Sequence, residues 1–376
     1  KTSQKAGSFL LALVMLLSLT SVFCFKSASA ATDGEWKYEL ENGGVTITGF
    51  IGTSRTISVP SKVNGQRVKK VTALNNNNTK ASVTTVSFAN GIEEIGTGVC
   101  KGYISLERVA LPDTLVTIGS DAFFNCSSLT GITIPNSVTT IGTNAFNGCI
   151  ALISADLSCK ATVIPDGLFT GCKSLTTAAL PSYTTDIGVA AFSGCSSLAS
   201  INIPDTVKTI AKDAFNGCAS LKRISLSTEL KTIGEMAFKD CTGLTEIFIP
   251  NKVKTISEEA FSGCTSLQNA YIGSSVSVIK KYIFSGCTAL KNIVFGGDYY
   301  NFTDLSSTAV TGTYTYYPSK YADGWSHYDV VNMKSYKRCN IRYHRSCSRR
   351  ESNPQGNCNT RRRRVQQRLR AQELQP

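Results

Sequence analysis

The sequence predicts a repeat solenoid, a right-handed superhelix made mainly of short parallel β-strands with turns and short helical segments. Three observations carry this expectation. The first is a spacing: Val83, Leu106, Leu129, Leu152, Leu175, Leu198, Leu221, Leu244, Leu267 and Leu290 follow one another at intervals of 23 residues without an insertion. The second is a strand signature. Three and five residues after each of these come further apolar residues, aliphatic in most units, as in Ile132 and Ile134 or Ile247 and Ile249. The third is a set of turn and core markers in constant register: an Ile such as Ile118 or Ile141, an Ala-Phe pair such as Ala145-Phe146, and then a Cys.

One unit of this length cannot enclose its own apolar face, whereas stacked units bury one another's aliphatics in a continuous core. Adjacent rungs of a parallel sheet lie about 4.8 Å apart, so ten rungs give an arc on the order of 45 Å. Pro112, Pro135, Pro181, Pro204 and Pro250 close the strand, where a missing N–H costs the ladder nothing. Gly96, Gly119, Gly142, Gly188 and Gly234 follow the recurrent Ile, where a tight turn is expected that a side chain would hinder. Pro165, Ser257 and Lys280 stand in their place in other units, where looser turns are expected.

Read in full, Leu129 to Cys149 is LTGITIPNSVTTIGTNAFNGC. With its strand, Pro, Ile-Gly and Ala-Phe-x-x-Cys in one frame, the unit resembles the 23-residue leucine-rich repeats of bacterial BspA-like surface proteins. The resemblance covers Val83 to Phe295, and the stretch from Val45 to Val68 is similar to the segment that opens such arrays. It implies a secreted or cell-surface protein that mediates protein–protein contact or adhesion, with extracellular or host-surface proteins as partners. The unit departs from the standard pattern, which places Asn or Cys eight residues after the first Leu. Asn90, Asp113, Asn136, Asp205 and Asn251 fall at seven, so an asparagine ladder is not expected.

Fourteen cysteines in an exported chain would ordinarily suggest disulfides. Eight of them are repeat positions instead: Cys126, Cys149, Cys172, Cys195, Cys218, Cys241, Cys264 and Cys287. Stacked one per rung, their Cβ atoms would stand roughly 4.8 Å apart, against about 3.8 Å in a disulfide. Free, buried thiols acting as small core hydrophobes are expected, in preference to bridges or metal ligands. Cys100 occupies the Phe position of its unit and Tyr103 the Cys position, which sets Cys100 outside the ladder.

No catalytic constellation is found. The only histidines, His327 and His344, lie outside the repeats, which argues against a His-based triad or multi-His metal site there. No phosphate-cradling loop and no paired carboxylates occur. An enzyme is therefore not expected, and neither a cofactor nor a metal is called for.

Binding remains, because the second and fourth residues of each strand alternate outward and line one exposed face. Through the middle of the array this strip is small, with Gly131, Ser154, Thr177 and Ser200 at the second position. Toward the C-terminal end Arg223, Glu246, Phe248, Asn269 and Tyr271 converge. Aromatics beside Arg have the composition of a contact hot spot, and these five are the ligand-binding candidates.

The remaining segments divide by composition. Residues 1–30 have the grammar of a signal peptide: Lys1 and Lys5, an apolar run from Phe9 to Phe25, and Ala28-Ser29-Ala30 as a cleavage site. Residues 31–82 are expected to cap the array, with Trp36, Val45, Ile47, Ile57 and Val59 supplying apolar side chains before the polar run Asn75 to Asn78. The array occupies 83–295, and the aromatic-rich segment 296–333 is expected to seal the other end. The tail 334–376 holds 13 Lys/Arg against Glu351 and Glu373, a surplus of +11 in a chain of net charge +13. Subtracting it, and then Lys1, Lys5 and Lys26, leaves about −1 for Ser27 to Met333 (13 − 11 − 3). The array thus has no global basic field for nucleic acid. The tail is expected to be unstructured and is compatible with a non-native end. Its competing readings are charge-driven binding of nucleic acid or another polyanion, the alternative function for this chain, and zinc held by Cys339, His344, Cys347 and Cys358.

Overall fold

The computed structural model describes residues 31–41, 43–74, 80–295, 313–316 and 328–330. Residues 1–30, where the sequence has the grammar of a signal peptide, the run Asn75 to Asn78, the tail 334–376 with its Cys and His residues, and most of 296–333 lie outside the described residues.

Most of the 23-residue units lay down two short strands; in those that start at Leu198 and Leu221 a single parallel bridge, Asn202 to Ser225, stands in place of the first. The first carries the aliphatic signature, as in Gly131–Thr133, Ser154–Asp156 and Thr177–Ala179, which pair in parallel with Ile132 opposite Ala155 and Ala155 opposite Ala178. The second contains the recurrent Ile, as in Thr209–Ile210, Thr232–Ile233 and Thr255–Ile256, again parallel and in register at an offset of 23 residues. Since that offset never changes, each side chain repeats directly above its counterpart. The first aliphatics from Val83 to Leu290 are all at most 1% exposed, as are Ile95, Ile118, Ile187, Ile210, Ile233 and Ile256. Val109, Leu111 and Leu180 are half-buried against the same core.

The phenylalanines form a column of their own. From Phe123 to Phe284, consecutive rings stack with centroids 5.2 to 5.8 Å apart, and all are essentially inaccessible to solvent. The cysteines stand beside them. Each Sγ from Cys149 to Cys287 donates to the carbonyl of the Phe 26 residues earlier, at 3.0 to 3.3 Å. Cys126 makes the same bond to the carbonyl of Cys100, which stands in the Phe position. All ten described cysteines are buried and free. The thiol fits here because it is small, apolar and still a weak second donor to a carbonyl that already accepts a backbone amide, as Phe123 O accepts from Cys126 N–H at 3.2 Å. In the first unit Tyr103 replaces it and its longer side chain donates to the carbonyl of Leu74, 2.6 Å away.

The short helical segments expected from the sequence are not formed; the described residues contain no helix. The Ala-Phe stretch is a run of turns. Its alternate amides reach out of the unit: Asp121 N–H bonds to Thr143 O, Phe123 to Ala145 O and Asn125 to Asn147 O, at 2.7 to 2.9 Å. An amide committed to the next rung cannot close an i→i−4 helical bond. A left-handed residue also precedes each Ala-Phe pair, with φ of 55° at Asp121, 56° at Asn144, 52° at Ala190 and 55° at Asp213. Helix cannot propagate through that conformation. Ala190, lacking a polar side chain to offset it, bears this cost plainly. Ala190→Gly is expected to raise stability by about 0.5–1 kcal/mol, read as an upward shift of the urea midpoint; a lower midpoint would show that the site is not strained.

At the glycines after the recurrent Ile a side chain is excluded, as expected. None has positive φ; what they supply is close approach. A Cβ on Gly142 would lie 2.2 Å from the Ser120 amide nitrogen, and one on Gly119 2.5 Å from the Gly96 carbonyl carbon.

The N-terminal segment is stitched into the same solenoid. Trp36–Glu41 and Gly44–Phe50 form an antiparallel pair, and Gly44–Phe50 then pairs in parallel with Gln66–Val71, which continues into Glu94–Ile95. Thr56–Val59 lies parallel to Thr85–Phe88, with Ile57 opposite Val86 and Val59 opposite Phe88. Val45, Ile47, Ile57 and Val59 are buried and Trp36 is half-buried. At the far end Asn292–Phe295 pairs in parallel with Thr313–Tyr316, which pairs antiparallel with Tyr328–Val330.

Candidate functional site

The first strands of successive units present one face to solvent, but they do not make one unbroken sheet. Among the described residues they form a group ending at Arg108–Ala110, a second from Gly131–Thr133 to Thr177–Ala179, an isolated parallel bridge between Asn202 and Ser225, and a third beginning at Glu246–Ile249.

All five candidate residues lie on this face, on three consecutive rungs. Parallel pairing sets Glu246 opposite Asn269 and Phe248 opposite Tyr271. The Phe248 and Tyr271 rings stack with centroids 4.3 Å apart and planes inclined by 3°. A cross-strand aromatic pair of this kind contributes roughly 0.5–1.5 kcal/mol beyond its buried area. Both side chains remain half-buried, so the outer edge of the stack is open to a partner. One rung earlier, Arg223 Nε lies 3.6 Å from Glu246 Oε1. The arginine side chain is 79% exposed, so this ion pair contributes at most about 1 kcal/mol and leaves the guanidinium free to meet another carboxylate. Asn269 Oδ1 accepts from Asn292 Nδ2 at 2.8 Å, which fixes its orientation at the next rung.

Sequence reasoning missed the feature beside them. The small residues of the middle rungs form a shallow open groove that runs from Ala110, over Gly131, Ser154 and Ala178, to Ser225, and Arg223 lines its C-terminal end. Asp113 and Asp156 line it as well, so the groove is acidic at its N-terminal half and basic at its end. The signal was present in the strip: a row of Gly, Ser, Thr and Ala between larger neighbours is a depression once the rungs stack. No group of His, Cys, Asp or Glu suited to a metal ion occurs among the described residues.

The family pattern of the BspA-type leucine-rich repeat region matches residues 75–199 and 185–313, in six copies. The chain belongs to the BspA-type leucine-rich repeat family. A solved leucine-rich repeat structure shares its architecture. A leucine-rich repeat protein from Bacteroides ovatus superposes with a TM-score of 0.60 at 23% identity, over 77% of this chain and 76% of that one. A leucine rich cell surface protein from Faecalibacterium prausnitzii gives 0.44 at 25% identity, over 77% and 95%. The leucine-rich repeat protein of T. pallidum gives 0.44 at 28% identity, over 57% and 91%. No curated protein matches the sequence. Within this BspA-type chain, no helix among the described residues is long and apolar enough to cross a membrane.

Proposed function

We propose that this BspA-type protein is an exported binding module, secreted or displayed at the cell surface, that mediates contact or adhesion by gripping a partner protein on the first-strand face. The observation that carries the reading is the juxtaposition of a small-residue groove with Arg223 and the stacked Phe248–Tyr271 pair at its C-terminal side. A groove admits a protruding segment of a partner, while an exposed guanidinium and an open aromatic edge supply the kind of anchors that dominate protein interfaces. Export is supported by the leader grammar of residues 1–30 and by the membership of the repeat family.

Replacing Arg223, Phe248 and Tyr271 together with alanine is expected to weaken attachment to a bound extracellular or cell-surface protein by about thirtyfold or more, since even one hot-spot truncation costs roughly 2 kcal/mol or more and such losses do not simply add. The measurement is surface-plasmon titration of wild type and variant against the proteins that the wild type retains from a cell-surface extract. Far-ultraviolet circular dichroism confirms that the solenoid persists. Equal retention by both chains removes this face as the binding site.

A further inference from the structure

The second strands carry a separate feature, on the three rungs that contain Thr209–Ile210, Thr232–Ile233 and Thr255–Ile256. The residue before each strand is a lysine: Lys208, Lys231 and Lys254. Backbone bonds place them in one column, with Lys231 N–H donating to Lys208 O at 2.8 Å and Lys254 N–H to Lys231 O at 3.3 Å. Thr209, Thr232 and Thr255 pair in register beside them. The lysines are exposed, and none of the three ammoniums is in an ion pair among the described residues.

Like charges stacked one rung apart repel. The same column accommodates neutral residues elsewhere, at Thr139, Thr162, Thr185 and Ser277. The charged groups facing the strip are few. Glu229 hydrogen-bonds Lys252, whose ammonium, helped by Lys231 and Lys208, holds that carboxyl below its ordinary range. Lys208, Lys231, Lys252 and Lys254 against Glu229 leave a local surplus of three positive charges, in a region from Ser27 to Met333 that sums to about −1. Asp186, opposite Thr209 one rung earlier, ends the strip on one side, and Ser277-Val278 ends it on the other. Between these limits three lysine positions span about 10 Å along the stack, each followed in the chain by a threonine, whose hydroxyl is able to donate to an oxyanion.

We infer that this Lys-Thr strip is a second binding surface, for a linear sulfated polysaccharide. Its evenly spaced cations complement a chain of regularly spaced anionic groups. The six residues include no aromatic, so the strip lacks the stacking platform by which single-stranded nucleic acids are held. The surface is separate from the strand face of the proposed function and stands or falls independently of it.

The test is calorimetric titration of the full chain with a size-defined heparin oligosaccharide over a salt series. The background replaces all 13 Lys/Arg of residues 334–376 with serine, so that the tail no longer attracts a polyanion by charge. In that background K208S/K231S/K254S is expected to lose tenfold or more in affinity and to flatten the salt dependence by about two charges. K160S/K173S/K222S, which removes three exposed lysines elsewhere, is expected to change neither. Should the lysine triple variant fold poorly, T209V/T232V/T255V is expected to lose severalfold in affinity with the salt dependence intact. Equal losses for the two lysine triples, no loss in the strip variants, or oligothymidylate bound as tightly as heparin would overturn the inference.

Discussion

Phe215→Ala is expected to lower the stability of the array by about 3–5 kcal/mol, the range for emptying a buried aromatic site. Phe215 is fully buried, and its ring stacks on Phe192 and on Phe238 with centroids 5.3 Å away on both sides. Truncation therefore removes the transfer free energy of one ring and also two stacked contacts. The neighbours cannot slide in to fill the gap, because each is fixed by its own rung's bonds to the next, such as Phe215 N–H to Ala237 O at 2.8 Å. In a quasi-one-dimensional structure the lesion also weakens the coupling between the two halves of the array. Urea unfolding should thus show a lower midpoint and a broader or split transition. A loss below about 1 kcal/mol would mean that the column is loosely packed and that the aliphatics alone hold the rungs together.

Alkaline pH should unfold this protein well before it reaches the range in which its buried thiols ionise. Burial pushes the Cys126, Cys195 and Cys241 thiols up to about 12, and it also raises Cys149, Cys172 and Cys218. Cys264 is raised first by its hydrogen bond with Cys287 and then by burial. Below the ordinary thiol range these groups are protonated in both states, and their full contribution to stability is present. Above roughly pH 8.5, only the unfolded chain sheds the protons, so stability falls as pH rises and is lost toward the folded values near 12. Each such thiol costs about 1.4 kcal/mol per pH unit in that window, and seven together cost on the order of 10 kcal/mol per unit. With a total stability of roughly 5–15 kcal/mol, unfolding is expected within one or two pH units of the onset. C195A/C218A/C241A, compared with wild type in urea titrations under a reductant from neutral to alkaline pH, should reduce the slope by about 4 kcal/mol per unit. An unchanged slope would show that these thiols are ionised or solvated in the folded chain.

The repeat frame, the parallel strands and the buried identity of Val83 to Leu290 were legible in the sequence, because a constant 23-residue offset leaves stacking as the way to bury so many aliphatics. The thiol column was legible for the same reason, and so was the clustering of Arg223, Glu246, Phe248, Asn269 and Tyr271, which are neighbours in any stacked register. The turns were not. The expected short helical segments give way to turns, the Ala-Phe run among them. Whether its amides close on their own turn or reach to the next depends on a neighbour that is 22 residues away, as Phe123 reaches Ala145.

Sequence alone therefore determined the period, the inward-facing set and the chemistry of each exposed column, since all three follow from which residues recur at fixed spacing. Tertiary structure decided what those columns become. It turned a bland row at Gly131, Ser154 and Ala178 into a groove, replaced helices by turns held at Asp121, Asn144 and Ala190, and brought three lysines into one unpaired line. The physical reason is that shape and field at a surface are sums over neighbours in space. A side chain's absence creates depth, or its charge creates repulsion, only when the rungs above and below are in place.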